Sequence, residues 1–137
     1  MLILIEDYKG AIVDYSFLIK INPTAEESYV HRGMAKSMLT FKMEAIADWE
    51  KAIEINPMSS KAFYFIGHEK VDLKDYRGAI KALNKAIEID PEYAGAFYYR
   101  GVAKLLLHQD KSACHDFNKA GELGYEKGFD ALKEFCK

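Results

Sequence analysis

The chain has three prolines, and they fall at one interval: Pro23, Pro57 and Pro91 stand 34 residues apart (57−23 and 91−57). Each closes nearly the same phrase, Ile-Lys-Ile-Asn-Pro, Ile-Glu-Ile-Asn-Pro and Ile-Glu-Ile-Asp-Pro. Gly33, Gly67 and Gly101 keep that step. So do two alanine columns, Ala11, Ala45, Ala79 and Ala113, and Ala52, Ala86 and Ala120. A period of this length, held in several columns, makes the chain an array of one supersecondary unit whose apolar face is covered by its neighbours.

The content of each period is helical. Phe63, Ile66, Gly67 and Lys70 fall at i, i+3, i+4 and i+7, with the lysine contributing its aliphatic stem. After a short polar link, Tyr76, Ala79, Ile80, Leu83, Ala86 and Ile87 trace a second amphipathic stripe. Pro91 then ends it, because proline neither extends a helix nor tolerates helical backbone just before it. Each unit therefore reads as two antiparallel helices joined by a turn. A mid-helix glycine costs roughly 1 kcal/mol against alanine. One in every complete unit implies close helix approach, and the alanine columns carry the same logic.

These residues resemble the tetratricopeptide repeat (TPR), whose 34-residue pattern is aromatic-x2-L-G-x2-Y, then A-x3-F, then P. The first complete unit supplies Tyr29, Arg32, Gly33, Lys36, Ala45, Trp49 and Pro57, and the second Phe63, Ile66, Gly67, Lys70, Ala79, Leu83 and Pro91. The third supplies Phe97, Arg100, Gly101, Lys104, Ala113 and Phe117, with Tyr125 where proline would stand. The resemblance implies an all-α fold of the TPR α-α superhelix type, a solenoid of antiparallel helix pairs. It is expected as a single domain over residues 1–137: a partial repeat at 1–25, repeats at 26–59, 60–93 and 94–127, and a capping helix at about 125–137.

Two departures from the pattern carry information. Lysine fills the tyrosine column, and arginine twice fills the leucine column. Arg32 is followed sixteen residues later by Asp48, and Arg100 sixteen later by Asp116, whereas the middle unit holds Ile66 and Ala82. Charges that come and go together predict two structural ion pairs, Arg32–Asp48 and Arg100–Asp116, the alternative being independent exposed charges.

The register places the first helix, from Tyr8 to about Ile21, as the second member of a pair. Its apolar residues Ile12, Tyr15 and Ile19 are expected to lack their cover. The chain is then a piece of a longer array, or this helix, with residues 1–5, buries itself against a second copy as a homodimer. At the other end Gly124 suits a helix stop. Beyond it Phe129, Leu132, Phe135 and Cys136 line one side of the expected cap.

Little points to chemistry. Cys114 and Cys136 are too few for a disulfide framework and do not have zinc-ligand spacing, so two buried free thiols are expected, the alternative being a Cys114–Cys136 disulfide. No nucleophile elbow, phosphate loop or dinucleotide-binding glycine pattern occurs, and neither catalysis nor a cofactor is expected. A net charge of −2 gives no footprint for nucleic acid. The apolar run Leu2-Ile3-Leu4-Ile5 is too short for a membrane span or a secretion signal, so a cytoplasmic chain is expected.

In TPR proteins the first helices line a concave face that binds peptides. The resemblance places Val30, Met34, Ser37 and Met38 there, then Tyr64, His68, Val71 and Asp72, then Tyr98, Val102 and Leu105. This implies a non-catalytic module that takes a protein or peptide segment on an apolar, aromatic groove, the alternative for any one residue being packing between helices. The positions of the family's carboxylate clamp hold Val30, Met34, Phe65, Gly95 and Tyr99, so a chaperone tail is not the expected ligand.

Overall fold

A computed structural model describes residues 5–136, so most of the apolar run at 2–5 lies outside the described residues. Among the described residues there are eight helices and no strand: α1 (Ile5–Ile21), α2 (Glu26–Met38), α3 (Lys42–Ile55), α4 (Ser60–Asp72), α5 (Tyr76–Ile89), α6 (Ala94–Leu106), α7 (Asp110–Glu122) and α8 (Glu126–Phe135). They form two compact units, one ending at Phe65 and the other starting at Ile66.

The turns repeat as faithfully as the helices. Asn22, Asn56 and Asp90 each accept, through the side-chain oxygen, the backbone N–H two residues on, at 3.3, 3.1 and 3.1 Å. This Asx turn bends the chain at each proline and leads it into the next first helix. The first helices α2, α4 and α6 stop at Thr40, Lys74 and His108, with φ of 69, 64 and 62°. Left-handed backbone costs a residue with a Cβ roughly 1 kcal/mol, and glycine removes that cost at a helix end. Thr40→Gly is therefore expected to stabilise the chain by about 0.5–1 kcal/mol, read as a higher urea midpoint at unchanged slope. At the end of α7 the chain already uses Gly124, at φ 100°.

Within a hairpin the glycine column sets the separation. A Cβ on Gly33 would lie 2.5 Å from Trp49 Nε1, so α2 rests directly on the indole. That ring is fixed, since Nε1–H donates to the Val30 carbonyl at 3.1 Å and its face stacks on Phe65. Gly67 meets Leu83 in the same way, and Gly101 meets Phe117.

Beside each aromatic sits a buried charge. Arg32 donates to Asp48 through Nε at 2.9 Å and Nη2 at 2.7 Å, and Arg100 to Asp116 through Nε at 2.8 Å and Nη2 at 2.7 Å. Both are bidentate, the geometry that planar guanidinium offers a carboxylate. Each arginine turns Nη1 to a polar side chain sixteen residues earlier, Ser16 at 3.1 Å and Asn84 at 2.9 Å. The unusual lysine column completes the site: Lys36 Nζ lies 3.1 Å from Asp48 and Lys104 Nζ 3.0 Å from Asp116. The hydrogen bond to Asp48 pushes the Arg32 pKa further up against desolvation, so the cation is held.

Three expectations are corrected. Cys114 and Cys136 are a disulfide, not two free thiols; the close seating of α8 on α7 brings their Cα atoms to 5.9 Å. In α8 the buried residues are Gly128 and Ala131, while Phe129 and Phe135 are exposed. Gly128 and Ala131 make the closest approach to α7, while Phe129 lies over Gly121 and the expected Leu132 and Cys136 do pack on the cluster beneath. In α1, Ile12, Tyr15 and Ile19 are half-buried and Tyr15 stacks on His31 of α2. The exposed apolar residues there are Val13, Phe17, Leu18 and Ile21 instead.

Candidate protein-interaction surface

The candidate binding residues belong to first helices, and their burial differs from repeat to repeat. On α2, Val30 is buried, and its carbonyl is taken by Trp49. One and two turns further on, Met34 is 38% and Met38 60% exposed. Unbranched and polarisable, methionine adapts to varied apolar partners.

Two hollows adjoin α2. One of about 190 Å³ is lined by Glu26, Glu27, Val30 and His31 with Ser59 and Lys61, so an apolar floor is rimmed by two acids and one base. The other, about 340 Å³, is lined by Met38, Leu39 and Phe41 with Thr40 and Lys9. The sequence pointed to Val30 and Met38, but not to the acid rim or to Phe41, which enters from the turn after α2.

On α4, Tyr64, His68 and Val71 are half-buried. His68 meets the edge of Tyr99 with ring centroids 4.3 Å apart. His68, Glu69 and Asp72 bring ligand-type atoms within 4.8 Å of one another. Each of the three has other partners, and Glu69 is buried, so the group belongs to the packing of α4.

On α6, Tyr98, Val102 and Leu105 are half-buried and pack on the cluster of Ala113, Phe117 and Ala131, together with Leu132 and Cys136 from the end of the chain. Tyr98 also lies 5.0 Å from the Tyr125 ring. Burial, followed by the nearby Tyr125 and the acids Glu134 and Asp130, raises the Tyr98 phenol pKa. Tyr98, Val102 and Leu105 are thus part of the seat of α8.

Tyr93, at the entry to α6, is half-buried. Burial, and secondarily the charge of Asp90, pushes its phenol from 10.0 up to about 12. A pKa raised in the folded state means that the stabilisation is whole below pH 10 and is lost as pH rises through about 12. Thermal melts across that window should fall more steeply for the wild type than for Tyr93→Phe.

Residues 67–107 match the family model described as TPR repeat. A search of curated protein sequences gives no match. Among solved structures, a crystal structure of MamA is 24% identical with a TM-score of 0.80, aligning 87% of this chain with 70% of that one. MamA 41-end from Desulfovibrio magneticus RS-1 is 22% identical with a TM-score of 0.76, over 86% of this chain and 67% of that one. The second TPR of Spaghetti (RPAP3), bound to the HSP90 peptide SRMEEVD, is 23% identical with a TM-score of 0.70, over 72% of this chain and 91% of that one. With eight helices among the described residues, 34-residue columns and a TPR-repeat match at residues 67–107, the chain has the fold of tetratricopeptide-repeat proteins and carries that repeat signature over the matched segment.

Proposed function

We propose that the chain is a non-catalytic interaction module that binds an apolar or aromatic protein segment on its first-helix faces. The observation that carries this reading is the exposure of Met34 and Met38 on α2 beside two hollows. Tyr64, His68 and Val71 on α4 are the next candidates, and Tyr98, Val102 and Leu105 contribute less because α8 already engages them. A structural neighbour that holds the peptide SRMEEVD supports the general mode. The acidic character of that peptide does not transfer: the hollow on α2 carries Glu26 and Glu27, and the clamp positions hold Val30, Met34, Phe65, Gly95 and Tyr99.

The test is selection of binding peptides on the immobilised chain, followed by titration against a Met34→Glu/Met38→Glu variant. Selected peptides should be rich in aromatic and aliphatic residues. Their affinity, on the order of micromolar, should fall at least tenfold in the variant at unchanged melting temperature. Peptides that bind both proteins equally would refute the assignment. A second reading, a homodimer, draws on Val13, Phe17 and Ile21, all exposed on α1. It predicts twice the chain mass by light scattering, and a return to monomer in Phe17→Glu.

No helix among the described residues is long and apolar enough to cross a membrane. The Cys114–Cys136 bond would persist in an oxidising compartment. In the cytoplasm expected from the sequence, α8 would be held by packing alone.

A further inference from the structure

Each hairpin that uses charge is joined by the same lock. In α2 and α3 an Arg-Gly pair (Arg32, Gly33) faces an Asp-aromatic pair (Asp48, Trp49), with Lys36 one turn on closing over the carboxylate. In α6 and α7 the pairs are Arg100-Gly101 and Asp116-Phe117, closed by Lys104. The middle hairpin, which has Ile66-Gly67 against Ala82-Leu83, keeps the glycine contact and drops the charges together.

The helix α1 carries Asp14-Tyr15, the receiving half of that lock, thirty-four residues before Asp48-Trp49. Tyr15 already behaves as Trp49 does: each stacks on the ring sixteen residues ahead, His31 at 5.5 Å and Phe65 at 5.4 Å. The carboxylate does not. Asp48 and Asp116 are buried under two cations apiece, whereas Asp14 is exposed and has no ion pair among the described residues. Leu18 is likewise exposed where its counterpart Ala52 is buried.

We propose that α1 docks a separate helical segment of another protein bearing the pattern Arg-Gly-x2-Lys, with the glycine on Tyr15 and both cations on Asp14. Charge complementarity selects the occupant. An all-apolar helix would bury Asp14 unpaired, and an acidic one would repel it. The glycine is required because a side chain there would hold the visiting helix off Tyr15, as it would hold α2 off Trp49.

The probe is a labelled peptide of residues 26–38 of this chain, whose Arg32, Gly33 and Lys36 are the donor half of the lock. Fluorescence anisotropy should show saturable binding to the wild-type chain, at least tenfold weaker to Asp14→Lys. A peptide with Arg32→Glu and Lys36→Glu should lose binding to the wild type and regain it on Asp14→Lys, a reversal that a general unfolding cannot produce. A Gly33→Val peptide should bind neither. Because Asp14 is exposed, the variant is expected to keep its helical circular dichroism; Asp14→Asn, with the smaller loss of one charge, serves if it does not. Absence of saturable binding, or equal binding to the wild type and Asp14→Lys, overturns the proposal. So does a dimer of the chain alone that Asp14→Lys dissociates, since a second copy would then be the occupant.

Discussion

Asp116→Ala is expected to cost about 3–5 kcal/mol, the range for removing one partner of a buried ion pair. The carboxylate is 1% exposed and anchors three donors from α6, at 2.7 to 3.0 Å. Its loss leaves Arg100 and Lys104 against α7 with their own side chains 17% and 15% exposed. Both are charges that water reaches only in part while the hairpin is closed. Arg100 would keep only the Asn84 oxygen and the ring of Phe97, 5.3 Å away. The control is written into the chain, because the middle repeat holds Ile66 and Ala82 at these positions and keeps Lys70. Arg100→Ile combined with Asp116→Ala copies that solution and should recover most of the loss, to within about 1 kcal/mol of wild type. Urea denaturation of the single and double variants measures both. If the two lose the same amount, the aspartate matters for its shape and the charge pairing is incidental.

How much of this was legible without coordinates depends on what fixes each contact. The period fixes which residues recur in equivalent places, so helix order, the glycine contacts and the Arg–Asp columns could all be read from spacing. Lys36 and Lys104 were visible as anomalies but not as partners of the same aspartates, because the lysine column persists at Lys70 where the acid is gone. Orientation about a helix axis was the weak point where no following repeat supplied a comparison. The hydrophobicity of α1 suggested Ile12 and Ile19 as an uncovered face and that of α8 suggested Phe129 and Phe135 as a packed one, yet Ile12 and Ile19 are half-buried, and the closest approach to α7 is made by Gly128 and Ala131, leaving both phenylalanines exposed. The disulfide was hidden for a related reason: a separation of 22 residues says nothing until α8 is seated against α7. For the proposed binding face, the columns pointed to the first helices. They could not show that α8 engages Tyr98, Val102 and Leu105, since that depends on where a non-repeating segment lands.

The seat of α8 is where a single methyl group should matter most. A Cβ on Gly128 would run into the carbonyl oxygen of Phe117 and lie 2.7 Å from the Gly121 nitrogen. These are backbone atoms in the last turns of α7, and they cannot retreat without disturbing its hydrogen bonds. Gly128→Ala therefore forces α8 to lift, despite the ~1 kcal/mol that alanine returns in helix propensity, and the net loss should be about 3 kcal/mol. Gly121 is the contrast. The atoms nearest its Cβ all belong to the ring of Phe129, a side chain 45% exposed with solvent to swing into, so Gly121→Ala should cost less than about 1 kcal/mol. Hydrogen exchange locates the damage: amides of α8 should lose protection in Gly128→Ala, while those of α2 and α3 keep theirs. Reduction of the Cys114–Cys136 bond separates packing from tethering: the wild-type α8 is expected to retain its seat when reduced, whereas the lifted helix of the variant would be held only by that bond. A reduced Gly128→Ala chain should then expose Tyr98, Val102 and Leu105, seen as a shift in tyrosine fluorescence and new binding of an apolar dye. Protection of α8 unchanged by the substitution would mean that the close approach to α7 does not hold the cap.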